Sequence, residues 1–91
     1  MISCNTHDFV EIACMYKLPL LVTCKNFTEL EGSALDIKLD ENKQECLVLL
    51  HKSFNHMVLL EDIKSMTCPI KNRHFLSVDF ATDEYTQYPE Y

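Results

Sequence analysis

ELEGSALDIKL, residues 29–39, decides the fold. It reads as one long strand whose apolar positions change phase, from Leu30 and Ala34 to Leu35, Ile37 and Leu39. Alternate residues of a strand share a face, so such a change requires a bulge or a sharp bend. Gly32, the chain's one glycine, sits just upstream, where a bend is expected. A strand bent this way belongs to a small, strongly curved sheet.

Further strands lie on both sides of it. Leu20, Val22 and Cys24 alternate with Leu21, Thr23 and Lys25, giving a first strand that turns at residues 26–28. After a polar loop at 40–44, ECLVLLH (45–51) is nearly continuous in apolar residues, as expected of a strand covered on both faces. A turn at 52–55 leads to a strand at 56–61. A corner at Asp62 leads to another at 63–68, and a loop at 69–73 precedes the last, 75–80.

Ahead of the strands, residues 5–16 have helical periodicity. Phe9, Ile12, Ala13 and Tyr16 follow the i, i+3, i+4, i+7 rule and predict the buried stripe. His7, Glu11 and Cys14 then lie opposite it, with Asp8 and Met15 on the shoulder. Asn5 is the expected N-cap, with Asp8 reaching back to it, and Cys4 is expected to lie outside the helix. The helix must end before Pro19. The expected fold is therefore mainly β with one N-terminal α-helix. The sheet is a small, strongly bent barrel or sandwich of five to six strands, and the helix covers its open end or face.

Ninety-one residues make one domain. Eight Lys and Arg against 14 Asp and Glu give a net charge of −6. That is the wrong sign for displacing phosphate counterions, so direct nucleic-acid binding is not expected. Such a chain is drawn to a basic surface instead. The first base is Lys17, so the helix carries acids and no Lys or Arg. Dipole compensation accounts for acids in a first turn, but not for sixteen residues without a base.

The five cysteines are odd in number, and Cys24, Cys46 and Cys68 lie in apolar runs, so they read as free thiols. MISCNTHD has neither the basic nor the apolar region of a leader. No run reaches the ~18 apolar residues of a membrane helix. A reducing, cytoplasmic setting without membrane contact is expected. Cys4, His7 and Cys14 match no closed zinc spacing, and neither a metal nor a cofactor is expected. A cysteine nucleophile would need a positioned base. His51, His56 and His74 offer candidates for Cys46 or Cys68, but the spacing selects no pair, and an enzyme is not expected.

The order Ile2, Cys4, Asp8, Glu11, Ala13, Cys14 resembles the opening of the Rho-binding antiterminator family, Rof, also called YaeO. Weaker similarity continues through ELEGSALDIKLDE and LLEDIKSMTCP, covering about residues 2–80. The resemblance implies an Sm-like fold over residues 1–82, leaving 83–91 as an acidic, tyrosine-rich tail, expected to be loosely held and flexible. It implies an inhibitor of Rho-dependent termination that binds the RNA-binding domain of Rho and blocks RNA loading. Asp8 and Glu11 match the family's acidic helix positions, and His7 stands where an aromatic residue is common. Asn5 and Thr6 replace acids found in some members. On this reading the partner-binding residues are Asn5, His7, Asp8, Glu11 and Met15, with side contacts from Asn42 and Lys43, in a monomer. The alternative is an Sm-like RNA-binding or RNA-chaperone module. Against it, Lys38 stands six residues after Gly32, where RNA-binding Sm proteins favour Asp.

Overall fold

The computed structural model describes residues 3–89. The order is helix α1 (Cys4–Met15), then strands β1 (Pro19–Cys24), β2 (Glu29–Leu39), β3 (Glu45–His51) and β4 (Phe54–Leu59). A 3-10 turn at Leu60–Asp62 leads to β5 (Ile63–Thr67), β6 (Ser77–Asp79) and β7 (Tyr85–Thr86). All seven strands form one antiparallel sheet in the order β4-β3-β2-β1-β5-β6-β7. The fold is mainly β with one N-terminal helix, as expected, and the seventh strand comes from the tail.

The phase change in β2 is a bulge. Ala34 pairs with Leu49 and Asp36 with Val48, so Leu35 is the extra residue. Gly32 serves the bend through space rather than through an unusual φ. A Cβ there would lie 2.7 Å from the Leu50 carbonyl oxygen and 3.2 Å from Leu49 Cβ. In β3, Leu47 and Leu49 enter the main core while Cys46 and Val48 are buried on the opposite face, the two-sided cover its composition predicts. The turn before β4 is shorter than expected. Lys52 and Ser53 adopt φ of 50° and 72°, making a two-residue hairpin loop without glycine, so the strand starts at Phe54.

The helix differs from expectation at both its start and its phase. Ser3, not Asn5, is the N-cap: its Oγ accepts from the Thr6 N–H at 3.1 Å. Cys4 and Asn5 are therefore helical, and Asp8 lies in the second turn. The helix ends in a Schellman motif, with Lys17 at φ 51° and Leu18 N–H donating to the Ala13 carbonyl at 2.9 Å. Its buried residues are Thr6, Val10, Ala13 and Cys14. Of the expected stripe, Ala13 is buried and Phe9 and Ile12 partly so, while Tyr16 is exposed and stacks on His74 at 4.8 Å.

Two facts explain the rotation. Val10, fully buried, gains roughly 1.5–3 kcal/mol by its burial in the core. Thr6 is admitted to the interior because its hydroxyl donates to Asp83. The change carries Cys14 inside and His7 onto the shoulder beside β3.

Part of the tail pairs with the sheet and packs on the helix. Tyr85 pairs with Val78, and Thr86 with Ser77. The Tyr85 ring packs 4.6 Å from Phe9, and Tyr88 Oη donates to the Cys68 carbonyl at 2.7 Å. Ile2 of the motif and residues 90–91 of the tail lie outside the described residues.

Candidate functional site

The helix and the start of β3 build the site together. His7 Nδ1 lies 2.7 Å from Glu11 Oε1, one turn further along α1. Its Nε2 lies 3.1 Å from Glu45 Oε2, on the first residue of β3. The His7 ring thus bridges two carboxylates from different elements. Glu11 and Glu45 remain about half exposed, so both can still meet a partner.

Asp8 is exposed and borders two shallow grooves. One brings it together with Glu45 and Glu61. The other joins it to Asn5, Phe9, Ile12, Asp83 and Tyr85. A third groove sets Glu11, Asp36 and Glu45 beside Met15 and Ile37. Neither Lys nor Arg lines any of the three, among the described residues. Because α1 begins at Cys4, its first turn holds no acid. Asp8 and Glu11 therefore lie beyond the stretch where the helix dipole acts most strongly on a charge.

Five of the predicted residues come together and two stay apart. Asn5, His7, Asp8, Glu11 and Met15 share α1, and Met15 is 70% exposed. Asn5 is tied to the tail, its Nδ2 3.5 Å from Asp83 Oδ2. Asn42 and Lys43 belong to a turn organised by Asp40. The Asp40 Oδ1 accepts from the Asn42 and Gln44 N–H groups at 2.8 and 2.9 Å, and Lys43 has φ 60°. Their chain neighbours Gln44 and Glu45 line the groove beside the helix.

The sequence reading missed Glu45, Asp83 and Tyr85. Glu45 carries no local signal, since it meets His7 across 38 residues of chain. Asp83 accepts from the Ser3 and Thr6 hydroxyls at the helix N-terminus. The Ser3 bond, then the Thr6 bond, hold its carboxyl below the usual range.

The thiols are placed for packing. All five cysteines are free, and all but Cys4 are buried. Burial first, then the nearby Asp36 carboxylate, pushes Cys14 up to about 11. Burial likewise raises Cys24 and Cys46. Thiols held protonated in this way are poor nucleophiles. Cys46 and Cys68 point their Sγ at the Gln44 and Ile70 carbonyls. Among the described residues, no three His, Cys, Asp or Glu side chains are grouped to hold a metal ion. No described helix is long and apolar enough to cross a membrane.

Comparison with known proteins adds the family. A solved structure described as YaeO bound to magnesium, from Vibrio cholerae O395, superposes with a TM-score of 0.78 at 29% identity. The match covers 80% of this chain and 95% of that one. No curated protein matches. Residues 1–80 match the family model described as Modulator of Rho-dependent transcription termination (ROF). With the helix-first bent sheet and the Cys4–Asp8–Glu11–Ala13–Cys14 pattern in place, the chain belongs to the ROF family of modulators of Rho-dependent transcription termination.

Proposed function

We propose that the chain restrains termination by occupying the RNA-binding surface of Rho with the acidic face of α1, so that nascent RNA does not load. One observation carries this reading. Asp8 and Glu11 on the helix and Glu45 on β3 form one exposed acidic surface, on a helix without Lys or Arg. A protein surface that holds RNA phosphates presents cations, and carboxylates pair with these through charge-assisted hydrogen bonds. Met15, beside Glu11 and Ile37, supplies apolar surface for the parts of the site that receive bases. Complementary charge raises the association rate and makes binding weaken with salt. The action is competitive and needs no bond-making step.

The test is displacement. Purified protein added to Rho carrying a labelled, unstructured RNA should release the RNA in a dose- and salt-dependent way. Asp8→Lys and Glu11→Lys should each require at least tenfold more protein for the same release. Unchanged displacement by both charge reversals, in proteins with unchanged melts, would remove this surface. Tight RNA binding by the protein alone would turn the reading toward an RNA-binding module.

A further inference from the structure

The family match ends at residue 80, yet the chain continues and returns to α1. There it builds one wall of a groove of about 310 Å³. Asn5, Asp8, Phe9 and Ile12 come from the helix, Asp83 and Tyr85 from the tail. Asp83 holds the tail down through Ser3, Thr6 and Asn5. One side of the Tyr85 ring packs on Phe9, and the residue is 50% exposed, so ring surface remains open to solvent.

We infer that this helix–tail groove receives a guanidinium side chain from the basic surface that α1 meets, an inference that rests on the proposed Rho-facing role of the helix. Three features select that occupant. The groove is lined by two carboxylates and no cation, so charge favours a positive group. Its apolar walls suit the aliphatic stem of a long basic side chain. Its exposed aromatic ring favours a planar guanidinium, which can stack flat on an aromatic face and is found there more often than an ammonium. Asp83 is already engaged by the helix hydroxyls, which leaves Asp8 as the carboxylate that pairs with the incoming group. The tail thus adds an exposed ring beside the partly buried Phe9 of the helix.

The experiment measures the affinity of the full chain and its variants for purified Rho. Tyr85→Leu keeps apolar contact with Phe9 but removes the ring, and should weaken binding at least fivefold. Tyr85→Phe keeps the ring and should bind within twofold of the parent. Both are compared after thermal melts confirm the fold. Glu11→Lys, measured alongside, separates the two ideas. If Glu11→Lys weakens binding while Tyr85→Leu binds like the parent, the groove is not used and the helix reading stands. If Tyr85→Phe is as weak as Tyr85→Leu, the ring surface is not what the partner reads, and the inference is overturned. If neither Glu11→Lys nor Tyr85→Leu changes the affinity, the helix reading fails and takes the groove with it.

Discussion

His7 Nε2 and Glu45 Oε2 lie 3.1 Å apart, joining the first turn of α1 to the first residue of β3. This contact makes the acidic surface a property of two elements rather than of one helix. It fits the helix azimuth that the core imposes, with Val10 and Ala13 facing inward and His7 on the β3 side.

Charge reversal at Glu45 should therefore act like reversal on the helix. Glu45→Lys is expected to weaken Rho binding roughly tenfold, about 1.4 kcal/mol. Titration of labelled Rho with the variant checks this, at two salt concentrations, and the gap from the parent should narrow as salt rises. An affinity equal to the parent's at low salt would confine the interface to α1 itself.

The rotated helix phase makes a prediction about stability. Val10 is fully buried, so Val10→Ala should cost about 2 kcal/mol, near the low end for large-to-small core changes. Tyr16 is 56% exposed, and Tyr16→Ala should cost less than about 1 kcal/mol. Urea unfolding of the two variants ranks them directly. A larger loss at Tyr16 would restore the stripe predicted from periodicity.

Asp83 gives the fold an acid-side dependence. Its carboxyl is lowered by the Ser3 hydroxyl bond first and the Thr6 bond second. Its contribution is thus present above the unfolded value near ~3.9 and is lost as pH falls through the lower folded value. Asp79 shifts in the same direction, chiefly through the Thr82 N–H, and adds to the same acid window. Asp83→Asn should lower the melting temperature at pH 7 and flatten its fall below about pH 4. Parallel melting curves for parent and variant across pH 2–7 would show that the contact contributes nothing.

Legibility in the sequence followed the range of the interactions. The boundaries of β2 and β3 were readable because period-two alternation and a continuous apolar run are local signals. The bulge was readable because a change of phase is also local. The start of β4 was not, since Lys52 and Ser53 accept positive φ without the glycine that normally marks such a turn. The helix phase was misread because Val10 and Cys14 make as good an apolar line as Phe9 and Tyr16. Only the sheet beneath chooses between them.

The amino-acid order by itself determined a short helix with acids and no base, followed by bent strands, since propensity, periodicity and charge are carried by neighbouring residues. Tertiary structure alone decided which face of that helix looks outward. It also decided that Glu45 joins Glu11 around one imidazole, and that Asp83 and Tyr85 return to the helix N-terminus. Those partners lie 34 to 80 residues apart in the chain, and side chains that distant meet only once the sheet has curved and the core has packed.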